Sequence, residues 1–270
     1  MTVVRNTNGE KIVLLEEQEE IIEKARFCKL DGFAEELQYQ FINPLQYKDS
    51  TYESRISSCL DSQISANKNA QFNAYFKKSH MPRKYYLSKY QDDPERNLNR
   101  KDIQYLKELN YINAGTNIII NGPTGTGKTA LALATGMEAI KHGYPVMYYR
   151  MSDLIIIMEN KEAQPFARFR DSLKKYRILI IDDYGLEILS EQAVLRLNDI
   201  VDSRYGMGTI IITTQLKVQS LHTAIPKTCI VRDALLDRLF RPSDKAITLT
   251  GKSWRGDTHE FKGDNTLKVV

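Results

Sequence analysis

Cysteine is scarce. Cys28, Cys59 and Cys229 are the only three in 270 residues, and no two stand at C-x-x-C spacing. That excludes a disulfide-stapled scaffold and argues against a cysteine-based zinc site, leaving thiols buried in a reducing cytosol. Histidine is as thin: His80, His142, His222 and His259 are scattered. No apolar run reaches the ~18 residues a membrane span requires. The N-terminus lacks the basic–apolar–small pattern of a signal peptide. A cytoplasmic protein with no membrane partner is expected. Repeats and low-complexity tracts are absent, and neither sign of charge dominates. The net charge is +4 and the pI near 8.7, which permits a nucleic-acid partner without demanding one. Apolar side chains are plentiful: 42% of the chain is hydrophobic, enough to bury a real core in one large or two modest domains.

One stretch organises the rest. Asn121-Gly122-Pro123-Thr124-Gly125-Thr126-Gly127-Lys128-Thr129 satisfies G-x-x-x-x-G-K-[ST], the phosphate-binding loop of P-loop NTPases. Gly122, Gly125 and Gly127 let the backbone wrap a phosphate with its N–H groups inward. The following helix adds the positive end of its dipole. Lys128 can reach the β- and γ-phosphates, and the Thr129 hydroxyl can ligate Mg²⁺. Pro123, Thr124, Thr126 and Ala130 complete the nucleotide-binding set. The context fits, with a β-branched run at 116–120 entering the loop and the helix-forming Ala130–Ala134 leaving it. ATP and Mg²⁺ are the cofactors expected.

Ahead of this lies a helical module over 1–80. Residues 1–10 read as an unanchored start. Apolar positions at helical spacing predict a helix over 11–26, interrupted at Leu30–Phe33, then one over 34–41. Ser50-Thr51-Tyr52-Glu53 has the form of a capping box opening a third helix that runs toward Phe76. Residues 81–98 read as a basic–aromatic linker. In and just before it, Lys77, Lys78, Arg83 and Lys84 interleave with tyrosines. Either these residues meet phosphates and bases, or this is a solvated linker whose tyrosines pack on the neighbouring domain; the residues alone leave both open. Asn99 can cap a helix over 100–110.

From Thr116 onward strands and helices alternate, the pattern of a parallel sheet flanked by helices. Strands are expected at 116–121, 145–150, 178–181, 209–213 and 246–249. Ser152-Asp153 is expected to cap a helix around 154–158, before a basic helical stretch carrying Lys161, Arg168 and Arg170. The domain should span 99–256, with a mobile polar tail over 257–270. Ile178-Leu179-Ile180-Ile181-Asp182-Asp183 forms a Walker B motif. Asp182 would hold Mg²⁺ through water at the end of a strand expected beside the P-loop strand, and Asp183 would polarise the attacking water. Thr214 and Gln215, ending the next strand, could orient that water or sense the γ-phosphate; an ordinary strand-end turn is the bland alternative. On the helical stretch 232–241, Arg238 is a candidate arginine for a neighbour's γ-phosphate, with Arg241 as the alternative, and Arg204 is a second possible interface contact. An Arg–Asp surface pair is the bland reading there.

Together these residues resemble the AAA+ ATPases of the initiator and helicase-loader clade, and most nearly the IstB family, transposition helper ATPases of bacterial insertion sequences. The likeness runs through Leu30–Leu37, Ile178–Gly185, Asp202–Gly206, Ile211–Leu216, Asp233–Leu239 and Lys252–Arg255 in order. Each segment is weak alone and specific as a series. The resemblance implies an α/β P-loop fold with a small all-helical N-terminal domain used for DNA binding and assembly. It implies an ATPase that forms homo-oligomers on double-stranded DNA and recruits and stimulates a transposase, with the basic helices at 154–176 facing DNA. A DnaC-like replicative helicase loader is the alternative, since the ATPase cores are nearly indistinguishable by motif; a nucleotide-binding module with little turnover is a third reading. One departure from general AAA+ proteins is Asp183, where a glutamate is usual. It bears on hydrolysis, not on ATP binding, and the Asp-Asp pair is common among IstB-like proteins.

Overall fold

The computed structural model describes residues 3–251 and residue 253. Lys252, Trp254, Arg255 and the tail from Asp257 lie outside the described residues. Two compact units divide between Asn73 and Ala74.

The first unit opens with a hairpin, which corrects the expectation of an unanchored start and of a helix beginning at Lys11. Strands β1 (Val3–Arg5) and β2 (Lys11–Val13) pair antiparallel, Val3 opposite Val13. The Asn6 side-chain oxygen accepts from the N–H groups of Asn8 and Glu10, and Gly9 takes φ 82°. This is turn chemistry that a helical reading of the charged residues overlooks. Helices α1 (Glu16–Phe27) and α2 (Asp31–Ile42) follow, with Ile22, Ala25 and Ala34 buried together beside Leu14. Gly32 does not interrupt α2. It lets α2 approach α3 (Tyr52–Lys78), because a Cβ there would lie 2.8 Å from the Ser62 carbonyl oxygen. Thr51 caps α3, its hydroxyl accepting from the Ser54 N–H.

The second unit is a five-stranded parallel sheet with helices. Its strands are β3 (Ile118–Asn121), β4 (Val146–Arg150), β5 (Ile178–Tyr184), β6 (Thr209–Thr214) and β7 (Lys245–Thr248), in the order β4-β5-β6-β3-β7. The runs Ile118–Ile120, Ile178–Ile181 and Ile210–Ile212 are all buried, as strands covered on both faces must be. Each such side chain contributes about 1.5–3 kcal/mol by leaving water. One correction matters for the site: β5 does not neighbour β3, because β6 lies between them.

Helix α4 (Arg100–Glu108) is capped by Asn99, whose side chain accepts from the Asp102 N–H at 2.9 Å. Leu109 at φ 57° breaks it from α5 (Asn110–Ala114). The remaining helices are α6 (Lys128–Lys141), α7 (Met151–Asn160), α8 (Ala163–Leu173), α9 (Glu191–Arg204) and α10 (Arg232–Leu239). Helix α7 starts at Met151 after an extended Arg150 with no side-chain cap, so Ser152 and Asp153 lie inside its first turn and do not cap it. Residues 81–98 are packed and not a free linker: Met81, Leu87 and Leu98 are buried, and the Ser79 carbonyl accepts from the Tyr148 N–H at 2.8 Å. Among the described residues no helix is long and apolar enough to cross a membrane.

Candidate functional site

Strand β3 delivers Asn121 into the loop and α6 leaves it. Gly122, Gly125 and Gly127 take φ 151°, 83° and 93°, a conformation side chains resist. A Cβ at Gly122 would run into the Leu249 carbonyl, where the chain leaves β7. Thr126 donates to the Pro123 carbonyl at 2.9 Å, and Lys128 Nζ donates to the same oxygen at 2.8 Å. The lysine is thereby folded back onto the loop, its ammonium donating to the loop's own backbone. Ala130 follows in the first turn of α6.

Asp182 faces this loop across β6. Its Oδ1 accepts from Thr129 Oγ1 at 2.8 Å and from the Thr213 hydroxyl, and its Oδ2 accepts from the Tyr148 phenol at 2.8 Å. Three hydroxyl donors on one buried carboxylate suit its ionised form, which only accepts. The neighbouring phenol is held in its protonated, donating state, its pKa pushed up first by burial and then by Asp182. Thr129 donates its proton to Asp182, and its oxygen lone pairs remain for a metal. Among the described residues no cluster of three His, Cys, Asp or Glu could cage a metal. A hydroxyl beside a carboxylate is the donor set for Mg²⁺, which is held by few protein ligands and completed by phosphates and water.

Asp183 sits in a β-bulge. The β5–β6 register shifts between Ile181 and Tyr184, and Asp183 takes φ 60°. Its N–H donates to Thr213 Oγ1 at 2.9 Å, so both acids lie against one threonine of the neighbouring strand.

Of the two strand-end residues expected to act, Gln215 reaches the loop: its Oε1 accepts from Thr124 Oγ1 at 2.9 Å. The Thr214 hydroxyl is buried and donates to the Tyr184 carbonyl at 2.7 Å while accepting from the Leu216 N–H. It holds the strand end, and Thr213 takes the place beside the carboxylates. Thr213 and Tyr148 escape a sequence reading. The Thr213-Thr214 pair does not reveal which hydroxyl faces in, and Tyr148 lies more than thirty residues before Asp182.

The structure does not bring Arg238 to its own P-loop. Its backbone carbonyl accepts from the Asn117 side chain at 3.0 Å, at the end of β3 away from the loop. Its guanidinium pairs with Asp202 at 3.0 Å and donates to Asn198 at 3.3 Å. Arg241 is held by Asp244 and the Gly115 carbonyl. Arg204 is buried and donates to the Leu173 carbonyl, its pKa pushed down to about 10 by burial and by Arg177. Buried within the unit, it does not present an interface contact.

Among the basic residues, Lys77, Lys78, Arg83 and Arg168 are exposed. Lys84 lies over the Phe76 ring at 4.8 Å, and Tyr85 and Tyr86 are half-buried, so the tyrosines pack. Arg170 pairs with Asp171 at 3.1 Å. The Lys161 carbonyl accepts from Arg196 at 2.6 Å, joining α7 to α9. Sequence reading also missed a cleft of about 280 Å³ beside Thr126 and Gly127, lined by Tyr90, Asp92, Asp93 and Arg96.

The model of the IstB-like ATP binding protein family matches residues 24–260. The chain belongs to this family. A Bacteroides fragilis protein, whose name assigns it to ATP binding in an IS21-like insertion sequence, is 30% identical over 94% of this chain and 97% of its own length. A Sinorhizobium fredii protein, also named for insertion-sequence ATP binding, is 38% identical over 60% of this chain and 65% of its own. Among solved structures, the replication initiator DnaA bound to AMPPCP and single-stranded DNA superposes with TM-score 0.52 at 27% identity, covering 63% of this chain and 51% of that one. DnaI superposes with TM-score 0.54 at 19% identity over 64% of this chain and 96% of its own, a likeness of fold. This IstB-like protein is thus an ATP-binding AAA+ protein, with the expected five-stranded parallel sheet flanked by helices.

Proposed function

We propose that this protein is a Mg²⁺-dependent ATPase that assembles in copies on double-stranded DNA and there recruits and stimulates the transposase of its insertion sequence. The observation that carries the reading is the Thr129–Asp182 contact at 2.8 Å, which joins the phosphate loop to the Walker B carboxylate as hydrolysis requires. The near full-length likeness to an insertion-sequence protein favours transposition over helicase loading.

In this reading the P-loop backbone and Lys128 hold the phosphates. The base lies in the cleft at Tyr90, Asp92, Asp93 and Arg96. Asp182 and Thr129 would hold Mg²⁺, which would supply neutralisation of phosphate charge. Asp183 would accept a proton from the attacking water, and Gln215, which reaches the loop at Thr124, would orient that water or sense the γ-phosphate. Arg238 serves the site of an adjoining copy. Lys77, Lys78, Arg83 and Lys84, with Lys161, Arg168 and Arg170, face DNA phosphates.

The test is ATP turnover by the full chain with and without duplex DNA, alongside capture of the transposase encoded by the same element. Wild-type protein should hydrolyse ATP with Mg²⁺, faster on DNA, and bind the transposase. Lys128→Ala should lose ATP binding or turnover, and full affinity and turnover in that variant would refute the site.

A further inference from the structure

The Walker B aspartate is held by more than the nucleotide loop. Its Oδ2 is taken by the Tyr148 phenol at 2.8 Å from β4, and its Oδ1 by the Thr213 hydroxyl from β6. These strands flank β5 on either side. In the β4–β5 register Tyr148 lies opposite Ile180, two residues before Asp182. Residues two apart share a sheet face, so a side chain as long as tyrosine is needed to reach the carboxylate from there. Tyr148 and Thr213 are both buried, and water cannot replace either hydroxyl cheaply. Thr213 also accepts from the Asp183 N–H, tying the bulged backbone to the same carboxylate.

We propose that Tyr148 and Thr213 are positioning residues for the metal: gripping one oxygen each, they fix the plane of the Asp182 carboxylate so that it serves Thr129 and a metal-bound water without reorganising. The inference rests on the metal reading of this site. Outer partners that orient a metal's ligands change metal affinity by about 10–100-fold when removed. A merely structural hydroxyl would change stability and leave metal affinity alone.

The experiment measures the affinity of the full chain for mant-ATP in EDTA and in Mg²⁺. The ratio of the two dissociation constants reports the metal's contribution, separate from turnover. Tyr148→Phe and Thr213→Val should each cut that ratio by about 10-fold or more, with the EDTA value within about twofold of wild type. Thr213→Ser, which restores the hydroxyl, should recover it. In the background of Asp182→Asn, Tyr148→Phe should add little, because coupled residues are not additive. Circular dichroism identifies the folded variants, and the valine–serine pair decides the matter if the phenylalanine variant does not fold. An unchanged ratio in folded Tyr148→Phe and Thr213→Val, with wild type showing strong metal dependence, overturns the positioning role alone. A wild-type ratio near one overturns the metal reading and this proposal with it.

Discussion

At the scale of single residues, Asp183 shows how backbone and side chain are chosen together. Its φ of 60° lies in the left-handed region, where aspartate and asparagine are enriched and longer side chains are not. The shorter acid that looks like a departure at the sequence level is the one this bulge accommodates. The bulge re-aims the side chain, as bulges beside active sites do. Asp183→Asn keeps the local conformation and removes the proton acceptor. ATP affinity should hold while turnover falls by about 10²–10⁴-fold, the usual share of general acid–base catalysis, measured as phosphate release under saturating ATP. Asp183→Glu should not exceed wild type, since the added methylene gains reach but opposes the backbone. A wild-type rate in Asp183→Asn would move the water-polarising role to Gln215, whose side chain already touches the loop at Thr124.

At the scale of elements, the basic surfaces sort by what each side chain already touches. Lys77 and Lys78 end α3 and Arg83 follows, all exposed, whereas Arg170 and Lys174 share Asp171 and offer less net charge to a phosphate. Neutralising Lys77, Lys78, Arg83 and Lys84 together should therefore lower the slope of log affinity against log salt by up to about 0.9 for each DNA phosphate no longer neutralised. Fluorescence anisotropy on duplexes of unrelated sequence would read this, and an unchanged slope would move the DNA surface elsewhere. Elements were also the scale at which sequence was most and least legible. Strands such as Ile178–Ile181 and the glycine loop carry their structure in residue type, because continuous burial and positive φ leave few alternatives. The hairpin at Val3–Val13 was hidden, since three-residue strands have no readable period and its turn depends on Asn6 hydrogen bonds. For 81–98 the packing of its tyrosines was one of two readings the residues left open, but the buried residues were not legible: Leu87 and Leu98 are single apolar residues in a charged stretch, and only the finished sheet shows what they cover. The site was half legible. Lys128, Thr129 and Asp182 announce themselves by spacing, whereas Thr213 and Tyr148 are defined by the order of strands, which spacing does not encode.

At the scale of the whole molecule, the placement of Arg238 decides what one copy can do alone. Strand β3 separates Asn117, which holds the Arg238 backbone, from the P-loop, and its four residues span roughly 13 Å at about 3.3 Å each. An arginine at that end of the sheet is well placed to meet another copy's γ-phosphate if copies stack end to end in the same direction. A heterologous contact of that kind repeats into a ring or filament. The Asp202 pair at 3.0 Å is a partly exposed surface interaction worth at most about 1 kcal/mol, so it would yield to a phosphate. Arg238→Ala should accordingly bind ATP as wild type does and hydrolyse it up to about 10³–10⁵-fold more slowly, the range an arginine finger supplies. A local role would produce a deficit as well, so the deciding measurement is a mixture. Arg238→Ala keeps its P-loop, and Lys128→Ala keeps its arginine. Each alone should be inactive. When they co-assemble on DNA, a fraction of the interfaces pairs an intact loop with an intact arginine, and turnover should return in proportion to that fraction, peaking near equal amounts. Co-assembly is checked independently by crosslinking the two tagged variants. If they assemble together and no activity returns at any ratio, Arg238 is a structural arginine that holds α10 to Asp202 of α9, and the γ-phosphate is stabilised by residues of one copy.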